Sequence, residues 1–167
     1  MINLDEKDMK ILAELSENAN ATFVEIGKRL NLHPNVVAYR ISRMERAGII
    51  KRYTALLDLE KVGLSESVLI GLSFPNHSLR DEILKRLTAI PQVTQVLSSL
   101  GNPEGFVHVV AQNKAEVDSV ISKMRDLNVK IEFATSIIKT HQDGLLARIL
   151  RLQAEKMMID ESNLLHK

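Results

Sequence analysis

The chain has no cysteine and no tryptophan, and only six of its 167 residues are aromatic. Without cysteine there is no disulfide and no thiolate metal ligand, and the composition suits a reducing, cytoplasmic setting. With four phenylalanines, two tyrosines and no tryptophan, a core must be aliphatic, and a hydrophobic content of 45% can supply one. No apolar run approaches the ~20 residues of a membrane span. The opening MINLDEKDMK is too charged for a secretory signal, so no membrane partner is expected. The five histidines (His33, His77, His108, His141 and His166) form no H-x-x-x-H pair, which argues against zinc. Phosphate-cradling glycine loops and nucleophile elbows are also lacking. No cofactor, metal ligand or catalytic residue is assigned.

The formal charge is +1, but its distribution is uneven. Residues 1–27 carry Lys7 and Lys10 against Asp5, Glu6, Asp8, Glu14, Glu17 and Glu25, a net of −4. Residues 28–52 carry Lys28, Arg29, Arg40, Arg43, Arg46, Lys51 and Arg52 against Glu45, a net of +6. A local basic concentration of this kind is the footprint of a polyanion partner.

Met9, Ile11, Leu12 and Leu15 lie at helical spacing behind Asp5, a suitable N-cap, so a first helix is predicted over 5–17. Thr22 and Glu25 form a T-x-x-E capping box that opens a second helix, with Val24, Ile26 and Leu30 expected inward. Asn31 suits a left-handed C-cap. Pro34 suits the first position of a third helix, because its fixed φ is helical and the missing N–H needs no partner there. Val37, Ile41 and Met44 make that helix's apolar seam; Asn35, Tyr39, Arg40, Ser42, Arg43 and Arg46 lie off it. Composition alone suits an ordinary solvated helix equally well. The short turn and the paired start signals favour a helix-turn-helix, whose last helix enters the major groove. The following IIKRYTALLDLE is predicted as a wing strand, with Lys51 and Arg52 on phosphate.

LDEKDMKILAEL, TFVEIGKRLNL, the proline-initiated arginine helix, ERAGIIKRYTALLD and LEKVGL together resemble the Lrp/AsnC family of bacterial and archaeal regulators, through residues 1–64. The resemblance implies a winged helix-turn-helix transcription factor. It implies DNA contacts from His33, Asn35, Tyr39, Arg40, Ser42, Arg43, Arg46, Lys51 and Arg52, led by Arg40 and Arg43. His33 departs from the pattern, which has serine there; histidine caps less well and could contact phosphate instead.

Beyond a linker at 60–66, the pattern turns to β-α-β-β-α-β. The fold class is therefore α+β: a winged helix-turn-helix (1–59) of three helices and a short strand, a ferredoxin-like βαββαβ domain (67–140), and an extra C-terminal helix (141–167). On the third strand Phe106, His108 and Val110 alternate with Val107, Val109 and Ala111, so both faces are largely apolar. Helices cover one face of such a sheet, and a face-to-face homodimer would cover the other. The family's domain of this pattern dimerises through its sheet and binds small effectors, which implies an amino-acid effector and assembly from dimer to tetramer or octamer. In SLGNPEGF, Gly101 matches the family's G-x-x-D turn, while Glu104 and Gly105 stand where the aspartate belongs. Gly101, Asn102 and Glu104 are the effector candidates; a plain hairpin turn is the competing reading.

In the tail, Leu145, Leu146, Ile149, Leu150 and Leu152 are expected on one side of a helix that packs on its own domain, swaps onto a partner or joins dimers, packing within or between dimers being favoured over a membrane surface, with SNLLHK fraying. Two other functions compete. One is a ligand-sensing or assembly protein whose winged domain no longer binds specific DNA. The other is an enzyme similar to siroheme decarboxylases, whose helix-turn-helix is degenerate. The retained arginines, and a second half with only Phe74, Phe106 and Phe133 as aromatics, weigh against the latter.

Overall fold

A computed structural model describes residues 2–138 and 145–165 of the protein. The chain divides into two compact units, Met1–Leu56 with His141–Lys167, and Leu57–Thr140.

The first unit contains α1 (Glu6–Glu17), α2 (Phe23–Leu30), α3 (Pro34–Arg46) and α6 (Leu145–Leu165). Asp5 and Asp8 cap α1 reciprocally: the Asp8 N–H donates to Asp5 at 2.9 Å and the Asp5 N–H to Asp8 at 3.0 Å. Thr22 and Glu25 do the same for α2, with N–H contacts of 2.7 and 3.2 Å. Asn31 ends α2 at φ 53°. Ile11, Ile26, Val37, Ile41 and Met44 form the buried centre. The tight passage from α2 to α3 depends on Gly27, where a Cβ would lie 2.5 Å from the Leu32 carbonyl oxygen.

Two expectations are corrected here. Val24 is half-exposed beside Phe23, because it sits about 200° around α2 from Ile26. Residues 51–58 form no strand. A strand needs a hydrogen-bonded neighbour, and this unit holds none among the described residues; only Ile50 packs on the core, while Tyr53 and Leu56 stay exposed. In the single chain α6 buries Ala147 and Ala154, while Leu150 is partly buried and Leu146, Ile149 and Leu152 are more than half exposed. Small residues seven apart share a helix face and let α6 approach α1 closely, which a leucine face would prevent. The helix runs to Leu165, into the stretch expected to fray. The Leu145 side chain, His141 and His166 lie outside the described residues.

The second unit contains β1 (Glu66–Ser73), α4 (Arg80–Thr88), β2 (Val93–Ser98), β3 (Gly105–Ala111), α5 (Lys114–Asp126) and β4 (Lys130–Ser136). All neighbours in the sheet are antiparallel, in the order β2-β3-β1-β4. This is the predicted ferredoxin-like topology. Val68, Ile70 and Leu72 of β1 and Val107, Val109 and Ala111 of β3 pack with Ile83 and Leu87 of α4 and Val117, Val120 and Met124 of α5. The opposite face carries Leu69, Gly71, Leu97, Phe106, His108 and Phe133. Phe133 lies across Gly71, where a Cβ would come within 2.4 Å of the ring, and Phe106 stands tilted to it at 6.3 Å.

Candidate nucleic-acid interface

Helix α3 presents Asn35, Tyr39, Ser42 and Arg46 at i, i+4, i+7 and i+11, opposite the Val37–Ile41–Met44 seam. All four are exposed, Tyr39 at 63%. They offer an amide, a phenol, a hydroxyl and a guanidinium, groups that donate and accept toward base edges. Arg46 is lightly held, its Nε donating to the Ser42 carbonyl at 3.3 Å. Tyr53 donates to Glu45 at 2.8 Å. Burial, then that carboxylate, pushes its phenol up to about 12, so it stays a donor at neutral pH.

His33 caps α3. Its Nδ1 accepts the Asn35 N–H at 3.2 Å, which requires the tautomer with the proton on Nε2. The ring therefore caps the helix with one nitrogen, and its other nitrogen is left as a donor. Lys51 and Arg52 are exposed on the irregular segment after the helix.

Arg40 and Arg43, expected to lead the contacts, turn instead onto α1. Arg40 Nη1 donates to both oxygens of Asp5, at 2.8 and 2.7 Å, and to Asp8 Oδ1 at 2.8 Å. Arg43 Nη2 closes on Asp8 Oδ2. The Asp8 side chain is fully buried, and those of Arg40 and Arg43 are only 17% and 30% exposed. Burial works upward on the Asp5 carboxyl, but the Asp8 backbone N–H and Arg40 outweigh it and hold it below the usual carboxylate range. A buried carboxylate needs paired charge, and α3 supplies it from its flank. The acidic and basic stretches thus partly neutralise each other within the unit.

The effector candidates in the second unit are bonded into the β2–β3 turn. Gly101 takes φ 120°, open to glycine. Asn102 Oδ1 accepts from Ser73 Oγ at 3.1 Å, and Glu104 Oε2 from the Phe74 N–H at 2.8 Å. Arg80 Nη2 braces the turn through the carbonyl oxygens of Glu104 at 3.2 Å and Ser99 at 3.4 Å, while its guanidinium lies over Phe74. Sequence reasoning missed Arg80 and Gly27. A lone glycine inside a helical pattern was the available signal for the latter; nothing local marks Arg80. Among the described residues no group of three or more His, Asp or Glu is placed to hold a metal, and no helix is long and apolar enough to cross a membrane.

Comparison with known proteins places this geometry. The winged helix-turn-helix DNA-binding family matches residues 4–51. An HTH-type transcriptional regulator of Mycobacterium tuberculosis is 30% identical over 125 residues, 75% of this chain and 84% of that one. The regulatory protein AsnC of Haemophilus influenzae is 27% identical over 138 residues, 83% of this chain and 92% of that one. Among solved structures, a feast or famine regulatory protein of M. tuberculosis complexed with L-methionine superposes with a TM-score of 0.76 at 26% identity, covering 83% of this chain and 94% of that one.

Proposed function

The chain belongs to the Lrp/AsnC family of transcriptional regulators, and on that premise we propose that it reads a pseudo-palindromic duplex site through the Asn35–Tyr39–Ser42–Arg46 stripe of α3. It is a DNA-binding regulator of transcription; the residues that read, the assembly and the effector are the proposal. One observation carries the reading: the four side chains form a single exposed stripe opposite the buried seam of a proline-initiated, capped helix. Lys51, Arg52 and the Nε2 side of His33 supply phosphate contacts that fix register.

Two copies meet through the uncovered sheet face, where Leu97 and Phe133 are substantially exposed and Leu69 and Phe106 partly so. A dimer presents two α3 helices to half-sites about 34 Å apart or a multiple of that. Larger assemblies, tetramer to octamer, follow from further contacts between dimers. An amino acid is the effector class, supported by the solved relative that holds L-methionine. Gly101, Asn102 and Glu104, on the braced β2–β3 turn, are the residues assigned to it.

The test is a mobility shift of the full chain on its own promoter region at two salt concentrations, with and without L-methionine. Retarded, salt-sensitive bands that survive unrelated competitor duplex are expected. Binding equal on every duplex would defeat specific reading and favour the sensing-only alternative; a shift indifferent to L-methionine would remove that effector alone.

A further inference from the structure

We propose that Asp8 of α1 is a specificity-determining positioning residue, which holds Arg40 and Arg43 off the DNA and leaves reading to the stripe beside them. This rests on the DNA-binding function above and concerns which cations take part in it.

The geometry is specific. Arg40 lies one residue, about 100°, around α3 from Tyr39, so its guanidinium leaves from the flank of the stripe. There it meets three carboxylate oxygens between 2.7 and 2.8 Å. Arg43 spends Nη2 on the second oxygen of Asp8, and its Nε is buried without an acceptor. The side chain is thus drawn inward even with a donor unmet. Asp5 sits at the rim, but Asp8 is fully buried and, among the described residues, is the only carboxylate that touches both arginines. To reach a phosphate, either guanidinium must leave Asp8 with less compensation in a place without water, which is costly for a buried charge. Free arginines on this helix would grip any duplex, because phosphate is the same on every sequence. Restraining them suppresses that uniform attraction and raises the share of binding that depends on base edges.

The test uses the full chain, its own promoter region and a mixed-sequence duplex, with affinity measured against salt. Failure of the wild type to bind either duplex would defeat the DNA-binding reading underneath. With binding established, Arg40→Gln and Arg43→Gln should leave the slope of log affinity on log salt unchanged while melting earlier. Arg46→Gln should flatten the slope by ~0.9 if it meets phosphate and lower the preference for promoter if it meets a base. Asp8→Asn should steepen the slope by ~0.9 for each guanidinium released and raise affinity on both duplexes, so that their ratio falls. A flattened slope in Arg40→Gln or Arg43→Gln would overturn the inference, as would an unchanged slope in folded Asp8→Asn. Should these variants fail to fold, the wild type decides. The guanidinium NMR signals of Arg40 and Arg43 should stay in place on adding duplex while that of Arg46 moves; movement of the first two would overturn the assignment.

Discussion

Arg151 of α6 grips Glu17 of α1 with both ends of its guanidinium, Nη1 to Oε1 at 2.8 Å and Nη2 to Oε2 at 2.7 Å. The same Nη2 reaches Glu14 at 3.3 Å, and Glu14 also accepts from Arg29 of α2 at 2.8 Å. The C-terminal helix is therefore fastened to the helix-turn-helix unit by charge as well as by Ala147 and Ala154. The paired guanidinium holds the Glu17 carboxyl below its ordinary value. A depressed carboxylate adds stability that is present above its unfolded value and lost as pH falls through the folded one. Protection of α6 amides from exchange, corrected for intrinsic rates, should thus fall in acid. Arg151→Ala should show reduced protection already at neutral pH. Equal protection in both proteins would mean that the alanines alone hold the helix.

Gly27 gives the sharpest steric prediction. A methyl group there would meet the Leu32 carbonyl oxygen at 2.5 Å, and the contact is backbone, which cannot swing aside. Gly27→Ala should cost about 1–3 kcal/mol through forced displacement of the turn, although alanine is the better helix former. Thermal unfolding followed by circular dichroism measures it. An unchanged or raised midpoint would show that the turn yields freely. A folded but shifted turn would also misplace α3, so duplex affinity should fall with stability.

Much of this was legible in the sequence, and the reasons differ by element. Caps are local: T-x-x-E at Thr22, Asn31 and Pro34 each act through neighbouring backbone, and each stands where its chemistry requires. The seam of Val37, Ile41 and Met44 follows from period alone. The fates of Arg40 and Arg43 were not readable, because their partners lie 32 to 35 residues earlier on α1. The acidic stretch and the basic stretch were both visible, but not that they meet. The side that α6 turns to α1 was not readable for a related reason. Leucines mark the packed side only where the neighbour leaves room for them, and here the close approach of α1 selects alanine. The missing wing strand depends on a ladder partner, which no single stretch of sequence supplies.

Gly71 tests the uncovered sheet face. Its missing Cβ is what lets the Phe133 ring lie so close to β1, and alanine would place carbon within 2.4 Å of the ring. Gly71→Ala should lift Phe133 and roughen the face that two copies share. Sedimentation velocity should then show weaker self-association, while the helix-covered core, on the other side of the sheet, keeps the domain folded. Unaltered association would place the interface elsewhere.

His108 lies on the same face, with its Nε2 2.8 Å from Ser67 Oγ and its Nδ1 2.8 Å from Thr94 Oγ1. Burial holds the ring below its ordinary value, so it favours the neutral form. A histidine depressed in the folded state contributes stability above its unfolded value of about 6.5, lost as pH falls through the folded value. The midpoint of thermal unfolding should decline over that interval. His108→Gln, which keeps polarity without titrating there, should flatten the decline; an identical pH profile would assign it to other groups.

Arg46 and Arg52 should separate reading from gripping. If Arg46 meets a base edge, Arg46→Ala should cost about 1–3 kcal/mol on the preferred duplex and far less on an unrelated one, so discrimination falls. If Arg52 meets phosphate, Arg52→Ala should weaken binding on both duplexes alike and lower the salt slope by about 1. The two outcomes differ because guanine presents its O6 and N7 only at particular steps, whereas phosphate repeats at every nucleotide. Fluorescence anisotropy on matched and scrambled promoter duplexes, across a salt series, measures both quantities in one experiment. A uniform loss in Arg46→Ala would move that residue to the backbone, leaving Asn35, Tyr39 and Ser42 as the readers. A selective loss in Arg52→Ala would bring the segment after α3 into contact with bases, a role that its irregular, unpaired backbone leaves it free to take.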